Sequence, residues 1–397
     1  MQQRLGGTEA GMAATSSVGP RRRVYFLSGF DPRGGSHYFR LFADQLRQVA
    51  GHQRLPLQLK RLSSPAPALL SRWTIAGESS SPVELVFLHW DDLARQHWPR
   101  SPSRLLLDLL PIYRWYLLGG GLQRIARWSP SVALCGLYPC LVFTLALLLA
   151  SAVGAWAGVG VLGLGGPAWA AGLVAVLVAA WGLWLGWRLA EQLGVVWLFR
   201  SIRFTHQLGQ GRDQALRARV RTLAEHVCAL EDAAPAAELL LAGHSSGSFV
   251  MAMLAAELRR QPQWDGLLPR LRLLSLGQNL ANLAVHAGAE RFHQDLIELA
   301  AKPRPPWLDI TSRDDYLCFA GVDPYRSCGL PAPSGGAYPQ LRLIELARGR
   351  GIRSWWQLMG CQFDLHFDYL RCADRAVVGF NWWQLLLARR LSEVWDG

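Results

Sequence analysis

The sequence predicts an α/β fold, a mostly parallel sheet with helices on both faces, interrupted by a two-helix hairpin long enough to cross a membrane. Three observations predict it. Short apolar runs with strand character alternate with helical stretches, which is the pattern of βαβ units. From Trp128 through Trp187 there is not one Asp, Glu, Lys or Arg. Outside that window the composition is that of an ordinary globular enzyme, although the whole chain is 51% hydrophobic and only 18% charged.

The elements follow in order. Residues 1–20 are rich in Gly, Ala and Ser without an apolar core, so they read as a disordered lead-in and not as a signal peptide. Val24–Phe30 is a short buried strand running into a glycine loop. Ser36–Ala50 has helical periodicity, with Phe39, Leu41, Phe42 and Leu46 on one side. Pro56–Leu62 and Arg72–Ala76 read as two strands around a Pro/Ser-rich turn, and Val83–Trp90 as a stronger strand. These make up the first part of an α/β domain, residues 21–104.

Residues 105–206 read as a membrane insert. Leu105–Trp128 is apolar with sparse arginines, as expected of an amphipathic helix on a membrane surface. Ser131–Val153 spans about 34 Å as a helix, enough for a hydrocarbon core of about 30 Å. Ala168–Trp187 is a second span, and Gly158–Pro167 the turn between them. Trp156, Trp169, Trp184 and Trp187 fall near the ends, where indoles favour the interface. Arg104, Arg114, Arg124 and Arg127 precede the apolar window, and Arg188, Arg200 and Arg203 follow it. The positive-inside rule then puts both flanks in the cytoplasm, with a bacterial inner membrane as the expected location. The net charge of +12 is explained by these flanks better than by nucleic acid, because no nucleic-acid motif accompanies it.

The second part of the α/β domain is residues 207–397. Arg212–Glu231 is a charged amphipathic helix, Ala237–Ala242 a strand, and a helix follows to Arg260. Leu271–Leu276, Trp307–Thr311 and Gln340–Leu346 read as strands, Glu290–Ala301 as a helix, and Ala376–Trp395 as a closing helix. Seven cysteines are scattered without C-x-x-C pairs, which fits neither a disulfide framework nor a zinc site. No metal or organic cofactor is implied.

The chemistry concentrates at Gly243-His244-Ser245-Ser246-Gly247. G-x-S-x-G alone is a weak pattern, and its context gives it weight. It follows an apolar strand directly and opens a helix rich in small residues, which is the strand–turn–helix of a nucleophile elbow. Gly243 and Gly247 permit the sharp turn, and Ser245 is pushed out on it. A serine hydroxyl needs a base, and the base an orienting carboxylate. After such an elbow the chain order is acid, then histidine. Asp315, just past the strand WLDIT, is taken as the acid, with Asp314 beside it as the alternative. His366 is the one histidine beyond it. Backbone N–H donors for an oxyanion are expected from Ser246 and from Phe30, with Gly29 letting the chain come close.

Elbow, downstream acid and terminal histidine together resemble the α/β-hydrolase superfamily, in its lipase- and esterase-like branch. The resemblance covers Val24–Trp90 and Gln207 to the end and lapses over the insert. SGFDPRG and SRDDYLCF…DPY are similar to segments of bacterial hydrolase-like proteins, whereas the HGGG-type oxyanion motif is missing. The resemblance implies a membrane-anchored serine hydrolase acting on a carboxylic ester or thioester, with a lipid-like substrate and the bilayer as partner. An acyltransferase using the same triad, and an inactive hydrolase fold serving as a membrane interaction protein, are the alternatives. The insert replaces a connection at the catalytic edge of the sheet, so Leu105–Trp128 and Val195–Phe204 are expected to rim the site.

Overall fold

Strands buried on both faces need near-continuous apolar runs, and the central runs of this chain supply them. A computed structural model describes residues 20–62, 68–77, 82–98 and 102–395. Apart from Pro20, the predicted lead-in lies outside the described residues. The strands are β1 (Arg22–Leu27), β2 (Gln58–Arg61), β3 (Leu70–Ala76), β4 (Val83–Leu88), β5 (Glu238–His244), β6 (Leu271–Leu276), β7 (Trp307–Thr311) and β8 (Gln340–Leu343). They form one sheet in the order β2-β3-β4-β1-β5-β6-β7-β8. β2 and β3 run antiparallel to their neighbours, and every pairing from β4 to β8 is parallel. β1 and β5 are adjacent with Leu27 opposite Gly243, so their carboxyl ends leave the sheet together.

Helices cover both faces. On one side lie α1 (Gly34–Gln53) and the carboxyl-terminal segment. On the insert side come α2 (Pro102–Leu117), α3 (Gly121–Trp128), α4 (Pro130–Gly163), α5 (Ala168–Gln192) and α6 (Val195–Gly209). They are followed by α7 (Gln214–Ala233), α8 (Gly247–Arg259) and α9 (Glu290–Ala300), which pack on the other face of the sheet. The site region is completed by α10 (Gln362–His366).

Three expectations are corrected. The closing helix Ala376–Trp395 is three short pieces, α11 (Arg375–Val378), α12 (Trp382–Leu387) and α13 (Ser392–Trp395). Gly379, at φ +95°, ends the first, and the Asn381 side chain starts the second by accepting from the N–H groups of Trp383 and Gln384. Leu105–Trp128 is two helices and not one, broken before Gly121 by Gly120 at φ +72°. The turn at Gly158–Pro167 shrinks to its second half, because α4 continues to Gly163. Two glycines of α4 serve packing against α5: a Cβ at Gly154 would meet the Ala175 carbonyl at 2.5 Å, and one at Gly158 the Ala171 carbonyl at 3.0 Å, whereas Gly160 and Gly163 face open space. Small residues at a helix contact let the backbones approach closely, as between apolar helices in a bilayer.

α4 and α5 are each long and apolar enough to cross a membrane, and little of either is buried within the protein. Trp156 is 80% exposed and Leu164 91% exposed, whereas Leu240, Leu273, Leu274 and Leu308 of the central strands are fully buried. At 1.5 Å per residue α4 is about 50 Å long, well beyond a hydrocarbon core of about 30 Å. Its first turns, around Val132 and Ala133, are buried against the rest of the protein.

The amino edge of the sheet carries a buried ion network. Arg23 on β1 contacts Glu84 at 2.9 Å and also Glu231, and Arg270 reaches Glu231 at 2.7 Å. Arg22 bonds Glu238 through Nε at 2.9 Å and donates to the Leu385 and Leu386 carbonyls at 2.8 and 2.7 Å. These bonds tie the sheet edge to α7 and to the carboxyl-terminal segment.

Candidate active site

At the opposite edge β5 turns sharply into α8. Ser245 occupies the turn with φ +56°, a left-handed conformation that costs a residue with a Cβ roughly 1–2 kcal/mol. Surroundings hold it there. Its N–H donates to the Leu276 carbonyl at 2.9 Å, and its carbonyl accepts from the Ser248 hydroxyl at 2.6 Å. The flanking glycines allow close contact: a Cβ on Gly243 would meet the Gly247 carbonyl at 2.4 Å, and one on Gly247 the Leu27 carbonyl at 2.4 Å. Strain at a turn of this kind is a feature of functional sites.

The loop after β1 lies beside this turn. A Cβ on Gly29 would come within 2.9 Å of Ser245 Cβ and 3.3 Å of its Oγ, so glycine lets the loop touch the serine. Phe30 follows, its ring buried and stacked on Phe204 at 4.9 Å between centroids. Ser246 caps α8.

Asp315 and His366 come from separate loops and meet. His366 Nδ1 is 2.7 Å from Asp315 Oδ2, and both residues are buried. The carboxylate also accepts from the Leu317 N–H at 3.0 Å and the Tyr369 hydroxyl at 3.1 Å. Burial alone would raise the Asp315 carboxyl. The imidazole of His366 and the Leu317 N–H more than offset it, holding the group below the ordinary carboxylate value. An ionised carboxylate only accepts, so Nδ1 of His366 carries a proton. Its Nε2 has no hydrogen-bond partner among the described residues. Asp314 turns elsewhere, accepting from the Ala347 N–H at 2.9 Å. Asp309, inside β7, is buried and accepts a hydrogen bond from Ser275.

Several contributing residues carry no sequence signal of their own. His244, the variable position of the elbow, donates from Nε2 to the His366 carbonyl at 2.7 Å. Burial and the neighbouring His366 push its imidazole down to about 3, so it is neutral. Gln362 binds both loops, accepting from the Tyr316 N–H at 2.8 Å and donating to the Asp314 carbonyl at 3.0 Å. Asn279, just past β6, donates from Nδ2 to Ser245 Oγ at 3.3 Å, while its own N–H donates to Ser248 Oγ at 3.0 Å. A buried asparagine contacting a serine is invisible before the strands are assembled.

Ser245, His366, Asn279 and Tyr316 face a cavity of about 40 Å³, room for one or two water molecules. Its roof comes from the insert: Tyr116 of α2, Val132, Cys135 and Gly136 of α4, and Trp197, Leu198, Ser201 and Ile202 of α6. The expected rim segments therefore do border the serine, joined by the first turns of the long helix. Among the described residues no group of three His, Cys, Asp or Glu is arranged to hold a metal ion. Comparison with protein-family models, with curated proteins and with solved structures returns no match to this chain. The fold is α/β, and what it does has to be argued from the site itself.

Proposed function

We propose that the protein is a membrane-anchored serine hydrolase of the α/β-hydrolase type that cleaves a carboxylic ester or thioester of a lipid-like molecule. One observation carries the reading: a serine on a strained strand-to-helix turn lines the same cavity as a histidine whose Nδ1 is held by a buried carboxylate. Ser245 Oγ adds to the acyl carbonyl while His366 Nε2 takes the hydroxyl proton. Asp315 keeps the imidazole in the required tautomer and stabilises its protonated form. The Ser246 and Phe30 N–H groups face the oxyanion. Collapse of the tetrahedral adduct expels the alcohol or thiol, which receives the proton from His366. Water, deprotonated by the same imidazole, then releases the acid and restores Ser245.

α4 and α5 anchor the enzyme, with the hydrolase domain on the arginine-flanked, cytoplasmic side. A cysteine placed at Gly165, in the turn between the two helices, should react with an impermeant thiol reagent from outside intact cells. One placed at Arg212 should not.

An inactive fold used for membrane interaction is the rival reading. It is favoured by one contact, since Asn279 and not His366 meets Ser245 Oγ. Labelling by a fluorophosphonate probe separates the two. The wild-type protein should be labelled and Ser245→Ala should not; an unlabelled wild type would leave the inactive reading standing.

A further inference from the structure

A groove lies across the roof of the cavity. Leu109, Leu110 and Tyr113 of α2 and Cys140, Phe143 and Thr144 of α4 line about 590 Å³ of it. A second hollow of about 400 Å³, reaching α5, shares Leu109, Phe143 and Thr144 with the first. Groove and cavity are back to back. Tyr116 faces the cavity and Tyr113 the groove, with their rings 5.8 Å apart. On α4, Gly136 faces the cavity and Cys140 the groove.

The partition between them has a weak rung. In an α-helix the carbonyl of residue 136 and the N–H of residue 140 are partners. Here the Tyr113 hydroxyl serves both, donating to the Gly136 carbonyl at 2.9 Å and accepting from the Cys140 N–H at 3.1 Å. Pro139, in the same turn, has no N–H to give to the turn before it. A side chain taking a place in the ladder beside a proline is where a helix bends. Pro139 and the Tyr113 contact lie between the turns of α4 that roof the serine and its long apolar remainder.

We propose that the groove binds the acyl chain of an ester lipid whose carbonyl Ser245 attacks, and that Tyr113 is the latch whose release joins groove to cavity. The proposal rests on the hydrolase reading and names its substrate site. The cavity is too small to hold an acyl chain, and the groove is the adjoining space, separated from it by the turn that Tyr113 bridges. The occupant follows from what borders the groove. Leu107 and Leu110 of its helix and Leu118 just past it are 76–83% exposed, continuous with the uncharged surface of α4 and α5, so the groove opens onto lipid tails. Arg114 is its sole charged lining residue, exposed and without an ion-pair partner among the described residues. A guanidinium there suits the phosphate or carboxyl oxygens of a lipid headgroup.

The test uses the full-length protein in phosphatidylcholine vesicles. A long-chain ester carrying a diazirine near the end of its acyl chain is photolysed and the adducts are mapped. Adducts should concentrate on Pro102–Leu117 and around Cys140–Leu147, and Thr144→Trp should displace them. Adducts spread evenly over outward positions such as Leu177, or cross-links joining two copies of the chain, would overturn the groove. This readout needs no turnover, so it judges the groove even if Ser245 proves unreactive.

The latch is read by labelling with a long-chain and a short-chain fluorophosphonate. Tyr113→Phe keeps the ring and loses both hydrogen bonds. It should accelerate long-chain labelling about tenfold, the scale of two modest hydrogen bonds. Thr144→Trp should slow long-chain labelling about tenfold relative to short-chain, as loss of remote binding energy requires. Leu177→Trp, on the outward face of α5, should change neither rate. Equal long-chain rates in wild type and Tyr113→Phe would remove the latch. No labelling of wild-type Ser245 by either probe would count against the hydrolase reading instead.

Discussion

At the amino edge of the sheet, Arg22 and Arg23 enter β1 buried, with Glu238, Glu84 and Glu231 against them. At the carboxyl edge, Asp315 and His366 are equally buried, yet His366 Nε2, beside the cavity that Ser245 also lines, has no hydrogen-bond partner among the described residues. Both edges bear the desolvation cost of buried charge. The first offsets it with opposite charges drawn from four segments of the chain. The second leaves an acceptor open and adds a strained serine beside it. A buried polar atom without a partner calls for an explanation, and under the proposed hydrolase reading proton transfer supplies one. Arg23 Nη2 at the amino edge also lacks a hydrogen-bond partner among the described residues, so the comparison teaches that the edges differ in what lies beside the open atom: carboxylates at the first, a strained serine at the second.

The largest expected effect would break this division at the carboxyl edge. Ser245→Ala and His366→Ala should each lower hydrolysis of a small activated ester by about 10⁴–10⁶-fold, strongly non-additively, with the thermal midpoint little changed. Steady-state rates beside a thermal melt measure both. Wild-type turnover in Ser245→Ala would end the enzyme reading. Asp315→Asn should cost about 10⁴-fold in kcat, because the amide no longer selects the tautomer with a free Nε2. Asp314→Asn, whose carboxylate instead holds the Ala347 N–H, should cost far less. The reverse ranking would move the acid by one residue.

At the amino edge the expected loss is stability. Arg23→Leu removes one of the two arginines on each of Glu84, which keeps Arg72, and Glu231, which keeps Arg270, and should cost about 2–3 kcal/mol, read from denaturant unfolding. The labelling rate of the protein that remains folded should be unchanged; a drop would mean that the two edges are coupled.

The smallest effect per step of the measurement sharpens the comparison with a buried acid that belongs to neither edge. Burial pushes the Asp309 carboxyl up to about 8, with the Ser275 hydrogen bond pulling partly the other way. The native carboxyl thus keeps its proton to about pH 8, while the unfolded one loses it near about 3.9. The native state binds more protons across that window, so the contribution is present at low pH and is lost as pH rises, by about 1.4 kcal/mol per unit. Asp309→Asn removes the titration. Its unfolding free energy relative to wild type should climb between pH 5 and 8, and a pH-independent difference would place the carboxyl in its ordinary range.

Much of this was legible in the sequence because it is local. An apolar strand meeting G-x-S-x-G and a helix of small residues specifies the turn at Ser245, and the uncharged window Trp128–Trp187 specifies two long apolar helices. The expected closing helix failed because Trp382, Trp383, Leu385 and Leu386 are all buried, so no single face marks the element. Gly120 and Gly379 broke two expected helices, because a stretch of helical composition does not reveal the φ its glycine will take.

Sequence alone determined the alternation of strands and helices, the hairpin, and the chain order Ser245, acid, His366, since each depends on residues a few positions apart or on order along the chain. Tertiary structure decided which acid meets His366, that Asn279 touches Ser245 Oγ, that His244 and Gln362 hold the site's loops, and that Tyr113 enters the ladder of α4. Apart from the Tyr113 pair, these contacts join residues 34 to 122 positions apart, and all of them need the geometry of packed elements. Hydrogen bonds are made at about 3 Å, a distance that periodicity and spacing do not specify.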